Sequence, residues 1–269
     1  MNQHLNLQNP LDYVARQKQL VTIAGATPYF IEGSSGTAFL LLHGWSASAE
    51  SVRFLASGLA GAGHAVLAPT LPGHGSSNLE MLTVGPVEWN EAARDAAKTL
   101  RDNFQSVVVM GVSMGGALAI QLAATSPQLI DGLITINAPI FMGNSSFASE
   151  IVASSPDPYL EGWNAPSFFG EPVEEISYPK RHKKSGADLY SMCGLARELL
   201  PLVASPMLVV QSILDPVVPK ASADEILARS GASSKDVLWL EQSYHVSQLD
   251  LDRDRIISAA LTFLAAHDL

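Results

Sequence analysis

The sequence predicts an α/β fold with a mostly parallel central sheet, because short apolar runs alternate with longer helical patterns from residue 28 onward. Residues 37–43 are apolar almost without interruption, which is typical of a strand that helices cover on both faces. The chain has 269 residues, of which 47% are hydrophobic and 16% charged, so it can bury the core that such a sheet requires.

The predicted elements follow one another in a regular order. Strands are predicted over residues 28–32 (an edge strand), 37–43, 64–69, 106–112, 133–138, 206–213 and 236–241. Helices are predicted over residues 49–60, 86–104, 114–125, 221–230 and 250–266. Gly61 and Gly63 supply a stop for the first helix, Pro86 suits the start of the second, and Asp250 is the predicted N-cap of the last.

Residues 140–200 interrupt this alternation and are predicted to form a small cap inserted before the last two strands. They are rich in proline, glycine and serine, carry a basic patch at 180–184 (KRHKK), and include bulky apolar side chains that need a packing surface. The predicted organisation is an N-terminal extension over 1–27, a core over 28–139 and 201–269, and the cap over 140–200.

The strongest chemical signal is GVSMG at residues 111–115, which places Ser113 between a predicted strand and a predicted helix. A tight strand-to-helix turn holds a serine hydroxyl clear of the sheet, and glycines flank it where a side chain would strike a neighbouring element. The helix that follows offers backbone N–H groups to a developing anion. Ser113 is therefore the predicted nucleophile.

A serine nucleophile needs a base and an orienting acid, which in this arrangement follow it in the order acid, then histidine. Asp215 comes directly after the predicted strand 206–213, and His245 comes after the next one. The competing acids fit less well, since Asp188 is interpreted as a solvated surface charge and Asp250 as a helix cap. Asp215 and His245 thus complete the predicted triad.

The predicted oxyanion hole takes one backbone N–H from Met114 and a second from the loop after an early strand. The segment LLLHGW at 40–45 suits the second role, with the N–H of Trp45 as donor and its ring as a wall of the pocket. His43, and His74 in LPGHG at 71–75, are interpreted as structural residues that brace these loops. Substrate binding is predicted for Trp45, Phe141, Met142, Trp163 and Val217.

Composition excludes several other functions. The net charge of −10 argues against binding to nucleic acid, which needs clustered Lys and Arg. A lone cysteine, Cys193, cannot form an intramolecular disulfide and fits a reducing compartment. No secretion signal, membrane-spanning run, zinc-type cluster or dinucleotide-binding glycine motif is found. The sequence predicts a cytoplasmic monomer or homodimer, without stable membrane insertion, that uses no metal or organic cofactor.

The motifs at 40–45, 71–75, 111–116, 213–219 (ILDPVVP) and 241–250 (EQSYHVSQLD) together resemble the bacterial carboxylesterase and monoacylglycerol lipase branch of the α/β hydrolases. The resemblance runs from about residue 28 to the C-terminus and implies the α/β-hydrolase fold. On this likeness Ser113, Asp215 and His245 match the family's nucleophile, acid and base. Trp45 and Met114 match its oxyanion-hole positions, with Trp45 in place of the more usual phenylalanine.

The expected activity is hydrolysis of a small-molecule ester through an acyl-enzyme, with a short to medium acyl chain and monoacylglycerols as one candidate class. Alternatives stay open, because the pocket rather than the fold sets the chemistry. They are a thioesterase, a carbon–carbon bond hydrolase, a lactonase or an acyltransferase on the same triad, and a receptor that retains the fold. The cap sequence matches the family poorly, and a partner interface at residues 1–27 or Cys193 is a weaker alternative.

Overall fold

The computed structural model describes residues 9–141, 149, 151, 157–160 and 166–269 of the chain. Its strands are β1 (Tyr29–Ile31), β2 (Thr37–Leu42), β3 (Ala65–Ala68), β4 (Ser106–Val112), β5 (Gly132–Ile136), β6 (Tyr159–Leu160), β7 (Arg181–His182), β8 (Met207–Ser212) and β9 (Lys235–Leu240). Its helices are α1 (Pro10–Lys18), α2 (Arg53–Gly61), α3 (Pro86–Arg101), α4 (Met114–Thr125), α5 (Lys183–Leu199), α6 (Lys220–Arg229) and α7 (Arg253–Ala266).

The described residues form a central sheet of seven strands in the order β1-β3-β2-β4-β5-β8-β9. Only β1 is antiparallel to its neighbour, and all other pairs are parallel. The predicted α/β architecture with a mostly parallel sheet is confirmed, with element ends shifted by a few residues. Because β2, β4, β5, β8 and β9 run in one direction, the loops after them meet at the same edge of the sheet.

Apolar layers cover both faces of the sheet, which explains why β2 is apolar at consecutive positions. Leu40 and Leu42 belong to the layer that contains α1, α3 and α4, whereas Phe39 and Leu41 belong to the layer that contains α2 and α7. Successive side chains of a strand point to opposite faces, so a strand buried on both sides cannot alternate between apolar and polar residues.

The described part of the N-terminal extension packs on the core. Tyr13 and Val14 of α1 are buried, and the Tyr13 hydroxyl donates to the Ala92 carbonyl of α3 at 3.4 Å. The Thr70 hydroxyl donates to the Ala26 carbonyl at 2.6 Å, which fastens the end of the extension beside β3. Residues 9–27 therefore form part of the packed structure.

The chain between β5 and β8 contains a two-stranded β6–β7 ribbon and α5, which packs on α4. The buried Gln121 amide of α4 donates to the Met192 carbonyl of α5 at 2.8 Å. The basic patch is less exposed than its composition suggests, because His182 is only 4% exposed and its ring lies 4.3 Å from that of Tyr159. Burial lowers the pKa of His182.

The final helix does not begin where the sequence predicts. Asp250 is extended and two further residues precede α7, so Asp252 stands at the N-cap position. The prediction that Asp250 caps this helix is therefore wrong. Asp250 is instead a buried acceptor of loop amides, as described below. No helix among the described residues is long and apolar enough to cross a membrane.

Candidate active site

Ser113 lies on a sharp turn between β4 and α4, with φ +52°. A positive φ is unfavourable for a residue with a side chain, so the surrounding packing must hold it. The flanking glycines make that packing possible. A Cβ on Gly111 would lie 2.0 Å from the Gly115 oxygen, and one on Gly115 would lie 2.2 Å from the Leu42 oxygen. The glycines therefore allow the turn to sit directly against β2.

The structure brings Ser113, His245 and Asp215 into one hydrogen-bonded chain. His245 Nε2 lies 2.9 Å from Ser113 Oγ, and His245 Nδ1 lies 2.8 Å from Asp215 Oδ2. The Asp215 side chain is fully buried, while that of His245 is 16% exposed. The serine follows β4, the aspartate follows β8 and the histidine follows β9, so parallel strand ends place all three at one sheet edge.

Two backbone amides fix the second oxygen of Asp215. Its Oδ1 accepts from Val217 N at 2.7 Å and from Val218 N at 3.0 Å. Both carboxylate oxygens therefore have partners, which compensates for the burial of the side chain. The carboxylate is held in one orientation towards His245.

A buried asparagine supports the loop that carries His245. Asn137 follows β5 with φ +47° and is fully buried. Its amide donates to the His245 carbonyl at 2.8 Å and to the Ser247 hydroxyl at 3.1 Å, while its side-chain oxygen accepts from Ser212 N at 2.8 Å. Asn137 thus ties the ends of β5 and β8 to the histidine loop. The sequence offered no signal for this role, because the asparagine belongs to none of the motifs.

Asp250 supports the same loop from the other side. Its Oδ1 accepts from Gly170 N and Leu251 N, both at 2.9 Å, and its Oδ2 accepts from Phe169 N at 2.6 Å and Tyr244 N at 3.0 Å. Phe169 and Gly170 belong to the chain between β5 and β8. The carboxylate therefore joins that segment to the residue that precedes His245.

The HGW loop after β2 lies beside the nucleophile. A Cβ on Gly44 would lie 3.5 Å from Ser113 Cβ, so the loop approaches the serine closely. Met114 begins α4, where first-turn N–H groups have no partner within the helix. The two predicted oxyanion-hole residues therefore flank Ser113, one in the loop and one at the helix start.

Two buried histidines brace this loop. His43 Nε2 accepts from Leu71 N at 2.9 Å, and its other ring nitrogen bonds to the Gly44 carbonyl at 2.9 Å. The ring of His74 lies 5.0 Å from that of His43. Burial lowers the pKa of His43 to about 4 and that of His74 to about 3, so both rings are neutral at neutral pH.

A cavity of about 170 Å³ opens at Ser113 and His245. Of the predicted substrate-binding residues, Trp45 and Val217 line it. Phe141 does not line the cavity, because its side chain packs against the core and its carbonyl accepts from the Ser222 hydroxyl of α6. Met142 and Trp163 lie outside the described residues.

Glu175 and Arg181 also line this cavity, and neither was among the predicted site residues. Burial raises the pKa of Glu175, while electrostatic interactions with His245 and Arg181 act to lower it. Burial lowers the pKa of Arg181, and the charge of Glu175 opposes this. Charged residues are usually solvated, so the sequence contained no signal that these two face the pocket.

Within the described part of the chain, no group of three or more His, Cys, Asp or Glu side chains is arranged to hold a metal ion. The polar groups at Ser113 bond to one another and to backbone amides. The arrangement provides a hydroxyl with a base, a base with an oriented acid, and N–H groups at a helix start. These are the parts of an acyl-transfer site.

Comparison with known proteins identifies the family of this chain. Residues 39–259 match the alpha/beta hydrolase family. The chain is 30% identical over 251 residues to a thermostable monoacylglycerol lipase from Bacillus sp. (strain H-257), covering 93% of this chain and 98% of the relative. It is 29% identical over 244 residues to a carboxylesterase from Bacillus subtilis (strain 168), covering 90% of this chain and 97% of the relative.

A solved structure from work on LipS and LipT, two metagenome-derived lipolytic enzymes, superposes with a TM-score of 0.86 at 33% identity. The match covers 91% of this chain and all of that one (100%). The chain belongs to the alpha/beta hydrolase family. The family resemblance that the motifs indicated is thus confirmed.

Proposed function

We propose that the protein is a serine carboxylic-ester hydrolase with Ser113, His245 and Asp215 as its triad. The observation that carries the proposal is the continuous hydrogen-bond chain from Asp215 through His245 to Ser113, with both links between 2.8 and 2.9 Å. Relatives named as a carboxylesterase and a monoacylglycerol lipase align along almost the whole chain, which supports the same chemistry.

The reaction proceeds as a two-step acyl transfer. His245 removes the proton of Ser113 as the hydroxyl oxygen attacks the ester carbonyl, and Asp215 stabilises the imidazolium that forms. His245 then gives the proton to the leaving alcohol. In the second step it activates a water molecule, which releases the acid and regenerates the free serine.

The N–H groups of Met114 and Trp45 stabilise the tetrahedral oxyanion. The first lies at the positive end of the α4 dipole, and the second is carried by the loop that approaches Ser113. Such donors are aimed at a charge that develops only in the transition state, so they accelerate the chemical step instead of merely tightening substrate binding.

The cavity favours a small substrate. Its volume of about 170 Å³ is below the roughly 300–1,000 Å³ of pockets that hold drug-sized ligands. The wall combines apolar side chains (Trp45, Leu189 and Val217) with the charged Glu175 and Arg181. We propose esters with a short to medium acyl chain and a polar alcohol, a class that includes monoacylglycerols.

Hydrolysis of a p-nitrophenyl ester series, from acetyl to long chains, tests the proposal with wild type and Ser113→Ala in parallel. We expect a rate maximum at short to medium chains and no turnover by the variant. Absence of ester turnover by the folded wild type would refute the proposal, and thioester, lactone and diketone substrates would then be assayed.

A cytoplasmic location and a monomeric or homodimeric state remain predictions from the sequence. Light scattering coupled to size-exclusion chromatography measures the mass of the assembly directly. A mass above that of two chains would contradict the second prediction.

A further inference from the structure

The loop that carries Trp45 contains a strained residue directly after it. Ser46 has φ +63° and is only 2% exposed. The Ala47 N–H donates to the Gly44 carbonyl at 3.2 Å, so residues 44–47 form a turn with Ser46 in its third position. A positive φ at this position of a turn normally requires glycine, so contacts from elsewhere must hold Ser46 in place.

Those contacts come from the chain between β5 and β8. The Tyr178 N–H donates to the Ser46 carbonyl at 2.9 Å, and Arg181 Nε donates to the Ser46 hydroxyl at 2.9 Å. The carbonyl and the hydroxyl of Ser46 are thus both bound by a short stretch that ends in β7. Close contacts of Gly111 and Gly115 fix the turn that carries Ser113, whereas this stretch fixes the loop that carries Trp45 and Ser46.

The stretch that binds Ser46 is itself anchored to the core. The Tyr178 hydroxyl donates to the Gly73 carbonyl at 2.8 Å and accepts from Ser76 N at 2.9 Å. Arg181 is partly buried at the cavity wall, and its Cζ lies 5.6 Å from the centroid of the Trp45 ring, within the range of a cation–π contact. Arg181 therefore contacts both Trp45, whose N–H is the predicted oxyanion-hole donor, and Ser46, which follows it.

We propose that Arg181 is a positioning residue that orients the oxyanion-hole N–H of Trp45 by holding the hydroxyl of Ser46. The inference rests on the esterase function proposed above. Without the guanidinium, Ser46 can relax to a negative φ. That relaxation changes the backbone angles of Trp45 and moves its N–H away from the oxyanion.

A direct electrostatic role is the competing explanation, because a positive charge at the cavity wall also attracts an oxyanion. The two explanations differ at Ser46. If Arg181 acts through Ser46, removing the hydroxyl alone reproduces the defect. If the charge acts directly, Ser46→Ala retains full activity, and so does Arg181→Lys, which keeps the charge.

The test is a double-mutant cycle with Arg181→Ala, Ser46→Ala and the double variant, assayed with the preferred p-nitrophenyl ester. Loss of one oxyanion-hole donor lowers kcat by about 10²–10³-fold, so a misaligned donor should lower it less, by about tenfold. We expect this loss in each single variant, with KM changed by less than about twofold. The double variant should lose no more than the larger single loss, because both changes break the same contact.

A transition-state mimic separates orientation of the hole from general damage. An alkyl trifluoromethyl ketone adds to Ser113 Oγ, the serine proton passes to His245, and the former carbonyl oxygen occupies the hole as an anion. Its inhibition constant should rise by the same factor as kcat falls in the two single variants. Binding of the carboxylic acid product should not change by that factor.

Arg197→Ala is the matched control, because it removes another arginine of the segment between β5 and β8. Arg197 pairs with Glu225 at 2.6 Å and does not line the cavity. We expect wild-type kcat and inhibition from this variant. Thermal melting of every variant verifies folding.

Wild-type kinetics in Ser46→Ala would overturn the inference, as would a double variant whose loss equals the product of the single losses. Either result leaves the proposed function intact as long as Ser113→Ala is inactive. A failure of the proposed function is recognised separately, because wild type itself would then hydrolyse no ester.

Discussion

The two sides of Ser113 are held by different physical means. On the acid–base side, Asp215 bonds to His245 and His245 bonds to Ser113, while the side chains of Asn137 and Asp250 hold the loop that carries His245. On the side of the proposed oxyanion hole, the predicted donors are backbone N–H groups, and neutral buried histidines and close glycine contacts hold the segments that carry them. The acid–base side therefore depends on specific charges and protons of side chains, whereas the oxyanion side depends on how glycine packing and hydrogen bonds to the loop after β2 hold the backbone.

Asp215→Asn should produce the largest effect, on the acid–base side. The amide keeps the shape but favours the wrong tautomer of His245, which in a serine protease costs about 10⁴-fold in kcat. We expect a loss of that order with a KM close to wild type, measured with the p-nitrophenyl ester. A variant that retains more than about a tenth of the wild-type kcat would show that Asp215 does not orient the base.

Gly115→Ala should have the next largest effect, on the oxyanion side. The added Cβ would lie 2.2 Å from the Leu42 oxygen and 2.7 Å from the His43 oxygen, and neither backbone atom can move without displacing β2. We expect a loss of stability of about 3 kcal/mol or more, at the upper end of overpacking effects. Urea unfolding measures it. Gly61→Ala is the matched control, since its Cβ position meets no atom within 4 Å beyond its own stretch of helix.

Asp250→Asn tests the contact between the histidine loop and the segment beyond β5. Whichever oxygen it replaces, the new NH₂ group would face two backbone N–H donors, and an unsatisfied buried group costs about 1–3 kcal/mol. We expect a stability loss in that range together with a lower kcat. Urea unfolding and the ester assay measure the two effects. If stability falls and kcat stays at the wild-type value, Asp250 supports the fold without positioning His245.

The pH dependence of stability should report the histidines of the oxyanion side. His43 and His74 bind no proton in the folded protein at pH values above about 4, but the unfolded chain binds one at each below about 6.5. The two neutral histidines therefore make their full contribution to the free energy of unfolding above pH 6.5. The free energy of unfolding falls as the pH drops below 6.5, by up to about 1.4 kcal/mol per pH unit for each histidine.

Urea unfolding at several pH values measures how steeply the free energy of unfolding changes with pH. His74→Asn should reduce this slope by the contribution of one histidine. His267→Asn is the control, because His267 lies at the end of α7 and contacts Asp236 and Phe263 instead of the loop after β2. An unchanged slope in His74→Asn would show that His74 is not held neutral.

The sequence was sufficient for the order of the core strands and helices and for the class of protein, whereas α1, α5 and the β6–β7 ribbon were not predicted. Residues 37–42 form a strand buried on both faces, and Ser113 follows β4 as the glycine spacing predicts. The motif order also identified Asp215 and His245, which the structure brings together with Ser113. Their catalytic role is the proposal that Ser113→Ala and Asp215→Asn test.

Local patterns were less informative where a residue's environment is made by distant parts of the chain. Asp250 has the composition and position of a helix cap, yet its partners include Phe169 and Gly170, about 80 residues earlier. Phe141 was expected at the pocket because of its size, but its position after β5 directs it into the core.

The sequence by itself determined the α/β fold and the family, and it predicted the three triad residues, because buried strands, glycine-flanked turns and the order of motifs are local or sequential features. The tertiary structure alone decided that Asn137 and Asp250 hold the histidine loop, and that Glu175 and Arg181 face the cavity. These roles depend on which backbone groups meet after packing. The sequence does not indicate whether a charged or amide side chain will bond to water or to a buried group of the protein.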